Sequence, residues 1–165
     1  AGQYQNVIGE QAYADRLMPV IRKYEETGNW TFLGNLSQEQ LAAFYPNINV
    51  LVVPSLNSTE AFGLVQVEAM MNHVPCITSD LPGVRRPVQM HNMGKVVPIG
   101  DSSALSAALL DLFDGKVKYT CDANKLKKQF DPDAIAAEYE QLFNWLERKQ
   151  EPDEGKPGRE SIPGG

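Results

Sequence analysis

No run in this sequence approaches the roughly 18–20 consecutive apolar residues that span a bilayer, which excludes a transmembrane helix from it. Cysteine is almost absent. Cys76 and Cys121 show no pairing pattern and belong to no Cys/His cluster, so a disulfide framework and a structural zinc site are both excluded. They read as free thiols of a reducing compartment. Histidine is limited to His73 and His91. A surplus of base is missing too: the net charge is −6, which argues against a nucleic-acid surface, because phosphates require clustered Lys and Arg. Neither Gly-x-Gly-x-x-Gly nor a Walker loop occurs, which argues against ordinary NAD and ATP sites. What remains is a common globular mixture, 42% apolar and 22% charged, in 165 residues, enough for one domain with a core.

The chain is organised around 54–70. Before it, Val50 to Val53 is continuously apolar and mostly β-branched, the pattern of a strand buried on both faces of a parallel sheet. Pro54-Ser55 ends that strand, Asn57-Ser58-Thr59 forms a polar loop, and a helix follows from Phe62 to Asn72. Leu64, Val65, Val67, Ala69, Met70 and Met71 are expected on its buried side. The loop therefore opens at the carboxyl end of a strand, the edge where open α/β sheets bind ligands.

Around this centre the spacing predicts further elements. A helix over 9–24 would bury Ala12, Leu17, Val20, Ile21 and Tyr24, with Pro19 kinking or dividing it. Strands are expected at 30–33, 75–79 and 95–97, beside that at 50–53. Ser37 with Gln40 forms a capping box for a helix to Tyr45, stopped by Pro46. A short helix over 84–90, bent by Pro87, leads to a surface turn at His91-Asn92. Asp101 or Ser102 caps a helix over 103–113, a helical segment covers 120–129, and Asp131-Pro132 opens a helix to about Lys149. Residues 150–165, rich in Pro, Gly and charge, read as a disordered tail. Strands alternating with helices make this an α/β chain: a Rossmann-like parallel sheet of four strands, helices on both faces, in one domain over 1–149.

Glu60 and Glu68 flank the start of the central helix. Their separation is on the order of 10–12 Å, too far to share a proton or one metal ion and suited to separate hydroxyl groups of an extended ligand. Spacing alone is met as well by a Glu60 favoured at a helix N-terminus and a solvated or base-paired Glu68. Among the other candidates, His73 reads as a loop residue, and Arg85 and Arg86 as surface residues first.

The segment Glu60-Ala-Phe-Gly-Leu-Val-Gln-Val-Glu68-Ala-Met resembles the donor-site motif of the group 1 (family 4) retaining glycosyltransferases. Phe32-Leu-Gly34 with Leu36-Ser37 and Leu41, Val50 to Ser55, Pro75 to Asp80, Pro82 to Arg85 and Val97 to Asp101 resemble further blocks of that family in the same order. His73 stands where the family usually has Gly, and Arg86 where many relatives have Glu. The resemblance implies a GT-B fold, of which this chain is the C-terminal, donor-binding domain without its first strand and helix, and hence a fragment. It implies retaining, metal-independent transfer of a hexosyl group from a UDP-, GDP- or ADP-sugar, with no cofactor, to a sugar or lipid-linked acceptor held by an N-terminal domain. Glu60 is the implied catalytic residue, and with Ala61, Phe62, Gly63 and Leu64 it holds the donor sugar and phosphates. Glu68 takes the ribose, and Gly34, Asn35 and Leu36 lie against the base. The implied location is cytoplasmic, with membrane association only through the N-terminal domain. Two rivals stand beside this reading: an inactive sugar-nucleotide-binding module on the same fold, and an epimerase-type relative.

Overall fold

The computed structural model describes residues 11–57 and 61–150. The first two residues of the expected opening helix, Ser58 to Glu60 and the expected tail from 151 lie outside them. The chain forms two compact units, residues 1–121 and 122–165.

The first unit is built on a parallel sheet of three strands in the order β1-β2-β3. These are β1 (Leu51–Val53), β2 (Cys76–Ser79) and β3 (Gly94–Val97), with Leu51 opposite Cys76 and Cys76 opposite Gly94. β2 is central and all four of its residues are buried. β1, expected to be equally buried, is half-exposed throughout, because it pairs on one side only among the described residues. The strand expected at 30–33 does not form there. Extended backbone becomes a strand only with a ladder partner, and Trp30 and Leu33 instead lie 45% and 44% exposed.

Helices α3 (Leu64–Met71) and α4 (Arg86–His91) make the crossovers between the strands, pack on each other and on β2, and so share a face of the sheet. The core lies between them: Val67, Ala69, Met70, Ile77, Val84, Val88 and Met93 are almost wholly buried. Each large side chain there contributes roughly 1.5–3 kcal/mol of transfer free energy. α5 (Ser102–Phe113) follows β3, its N-terminus capped by the Asp101 carboxylate, which accepts from the Ala104 N–H at 2.9 Å.

α1 (Gln11–Glu26) is not divided at Pro19. In α4, Pro87 stands in the first turn, where its missing N–H has no helical partner to lose. The face expected to be buried on α1 is not: Leu17 and Ile21 are half-buried, while Val20 and Tyr24 are exposed. His91 closes α4 half-buried rather than sitting on the surface.

The second unit holds α6 (Ala123–Gln129) and α7 (Pro132–Gln150), packed on each other. Asp122 caps α6, leaving Cys121 just outside the helix expected to contain it. The Asp131 carboxylate accepts from the N–H groups of Asp133 and Ala134 at 3.1 and 3.0 Å, the cap expected for α7.

Candidate functional site

α2 (Gln38–Phe44) begins with a complete capping box. The Gln40 N–H donates to Ser37 Oγ at 3.3 Å, and the Ser37 N–H donates to Gln40 Oε1 at 2.8 Å. This pins the end of the loop Gly34-Asn35-Leu36, in which Gly34 takes the left-handed conformation, φ 64°. At its other end α2 tightens into a 3₁₀ turn, Tyr45–Asn47, that accommodates Pro46 and delivers the chain to β1.

Asn35, Leu36, Phe44, Tyr45, the strand β1 with Pro54, and Val65 of α3 line a groove of about 560 Å³. That volume falls within the range of small-molecule sites. Leu64 and Val65, expected to be buried, are 61% and 43% exposed. Gln66 is buried instead, one turn before Ala69 and Met70 on the face that was expected to be buried.

Glu68 stands one turn beyond Val65 on the same side of α3. Tyr45 Oη donates to Glu68 Oε2 at 2.6 Å, across 23 residues of sequence. Burial, and then this bond, raise the Tyr45 phenol above its ordinary pKa, so it remains a donor throughout the neutral range.

The loop before α3 closes on Gly63, a left-handed N-cap at φ 80°. A Cβ at that position would lie 2.5 Å from Gln66 Nε2, so the turn and the buried amide exclude a side chain together. Gln66 Nε2 donates to the Val84 carbonyl at 2.8 Å, and its Oε1 is buried without a partner among the described residues. Ala61 is exposed and Phe62 half-buried, ahead of the helix rather than in its first turn. A smaller hollow of about 220 Å³ sits at the carboxyl ends of the strands, lined by Pro54, Ser79, Val97 and Pro98 among others.

The structure thus brings Asn35 and Leu36 to one groove beside Glu68, with Gly34 at the loop's start. Gly63 and Leu64 stand at the N-terminus of α3, and Glu60 lies outside the described residues. Arg85 is paired with Asp80 at 2.7 Å, and Arg86 is exposed. Sequence reasoning missed Tyr45 and Gln66. Their signals were a hydroxyl-bearing aromatic just before Pro46 and a single amide in an apolar run.

The profile of the family described as "Glycosyl transferases group 1" matches residues 4–141. The phosphatidyl-myo-inositol mannosyltransferase of Mycobacterium leprae is 31% identical over 115 residues, 68% of this chain and 30% of that protein. A glycogen synthase of Mycobacterium tuberculosis is 26% identical over 146 residues, 86% of this chain and 35% of its own length. Among solved structures, the sucrose-phosphate synthase of Thermosynechococcus elongatus superposes with a TM-score of 0.69 and 30% identity, over 84% of this chain and 35% of that one. HepE of Anabaena, solved in complex with UDP, gives 0.64 at 22% identity, over 86% of this chain and 38% of that one, a likeness of fold. The chain spans about a third of the length of these relatives.

Proposed function

This chain belongs to the group 1 glycosyltransferases, with a GT-B type of fold, and from that we propose that it binds the nucleotide-sugar donor of a hexosyl transfer. One observation carries the reading. The loop assigned to the base and the helix bearing the residue assigned to the ribose are far apart in sequence, yet they border the same groove.

In this proposal the base lies on Leu36 beside Gly34 and Asn35, and the Glu68 carboxylate accepts hydrogen bonds from the ribose hydroxyls. The diphosphate points to the N-terminus of α3, where backbone N–H groups at 62–64 and the helix dipole meet its charge. Gly63 lets it approach the backbone. Glu60 receives the hydroxyls of the transferred sugar. The bond from the anomeric carbon to the diphosphate breaks, an acceptor hydroxyl oxygen bonds to that carbon on the same face, and the hydroxyl proton passes to the departing nucleoside diphosphate. We assign this chemistry no metal and no cofactor, and we place the acceptor on a further domain of the full-length protein. The names of the relatives range from a mannosyltransferase to a glycogen synthase, so the reading singles out no one sugar.

A thermal-shift screen of UDP, GDP, ADP and their sugars, on the wild type and Glu68→Ala, tests the binding half. Stabilisation by one nucleotide series is expected, about 2.7 kcal/mol when the nucleotide is a hundredfold above its Kd. The shift should be lost in the variant. Transfer of isotope-labelled sugar by the full-length protein tests the chemistry; binding without transfer would leave a sugar-nucleotide-binding module.

A further inference from the structure

We propose that Tyr45 is a positioning residue for the nucleotide, its phenol holding the Glu68 carboxylate in the orientation that receives the ribose. The inference rests on the assignment of the ribose to Glu68 and adds a residue to it.

Glu68 belongs to the exposed side of α3, where a glutamate ordinarily samples several rotamers. Accepting two adjacent hydroxyls requires one orientation, and the entropy of freezing a long side chain is lost on binding unless the protein has already frozen it. Tyr45 is suited to that task. It is 6% exposed, its ring lies against Phe44 with centroids 5.6 Å apart, and the 3₁₀ turn fixes its backbone. From this anchored base the hydroxyl reaches Glu68 Oε2 at 2.6 Å, the short distance of a charge-assisted bond.

The arrangement leaves capacity for a ligand. A carboxylate offers about four lone-pair sites, and Tyr45 occupies one of them. Oε1 takes part in no hydrogen bond with the described residues, and Oε2 retains a second site. Two hydroxyls on neighbouring carbons can therefore be accepted without displacing the phenol. Tyr45 also lines the groove itself, as does Leu36.

The test compares UDP, GDP and ADP, each with its 2′,3′-dideoxy counterpart, by calorimetric titration of the full-length protein. The variants are Tyr45→Phe, Glu68→Ala and the double variant. For whichever nucleotide binds, the wild type is expected to prefer the ribose form. Tyr45→Phe should weaken that form about five- to tenfold and leave the dideoxy form unchanged. In the Glu68→Ala background the Tyr45 substitution should have no further effect on the preference. A tyrosine that merely props up the fold would, when altered, weaken both forms alike, and that result overturns the proposal. Retained preference in Tyr45→Phe with loss in Glu68→Ala leaves the ribose assignment standing and overturns the role of Tyr45. A wild type that does not distinguish the two forms, or binds none of the nucleotides, removes the ribose assignment and this inference with it.

Discussion

His73 shows how one side chain can occupy a place built for another. It follows α3 at φ 63°, with the His73 N–H donating to the Met70 carbonyl at 3.0 Å and the Val74 N–H to that of Ala69 at 3.0 Å. This is a Schellman closure with histidine in the left-handed position. α1 closes by the same pair of bonds with Gly28, φ 71°, in that place. His73→Gly is therefore expected to stabilise the fold by about 0.5–1 kcal/mol, the relief of the Cβ clash less the greater freedom of glycine in the unfolded chain. Urea denaturation measures it, and a decrease in midpoint contradicts the assignment. Gln66 is the opposite case, a polar residue that fits. Gln66→Glu would set a buried carboxylate against the Val84 carbonyl with no donor between them, costing on the order of 3 kcal/mol or more in the same assay. Cys76 is wholly buried, and burial pushes its thiol up to about 12. The unfolded thiol ionises near 8.5, so above that pH the native chain keeps a proton that the unfolded chain has lost. Stability is expected to fall as pH rises from about 8.5 to about 12, by at most about 1.4 kcal/mol per pH unit from this group. Denaturation at stepped pH checks this, with a shallower slope in Cys76→Ala. Below that range a thiol reagent should reach the half-buried Cys121 first and Cys76 only on unfolding.

Among the elements, those with local signals were legible in the sequence. The capping box at Ser37 and Gln40, the Asp101 and Asp131 caps, and the apolar runs of β1 and β2 are each fixed by a few adjacent residues, and each formed, β1 without the burial expected of it. Ser37→Ala should cost about 1 kcal/mol, and it should also loosen the 34–36 loop, lowering nucleotide affinity without changing which base is preferred. Titration of the same nucleotides compares the two. Elements that depend on distant partners were not legible. Trp30 to Leu33 has a strand's composition and lacks a neighbour to pair with among the described residues. The apolar positions of α3 announced a helix and put Val67, Ala69 and Met70 in the core as read, yet Leu64 and Val65 face outward and the polar Gln66 is buried. Along α1 the periodic apolar face was correct as a pattern, while its burial required a covering element that the pattern does not contain.

At the scale of the molecule, the motifs pointed to the base loop and Glu68, but the bond that joins Tyr45 to Glu68 spans a distance along the chain that no local pattern encodes. The order of the sheet and the groove beside it likewise follow from how crossovers stack. One strut in that arrangement has a mechanical consequence. Gln66 belongs to the first turn of α3, after β1, and the Val84 carbonyl it holds belongs to the turn after β2. The two rims are thereby clamped through a bond shielded from water. A nucleotide that quiets the first rim should therefore slow amide hydrogen exchange in the second, from Leu81 to Arg85. In Gln66→Ala the slowing should stay behind at 62–65. The sheet would then carry news of occupancy sideways, from one crossover to the next, through a single amide.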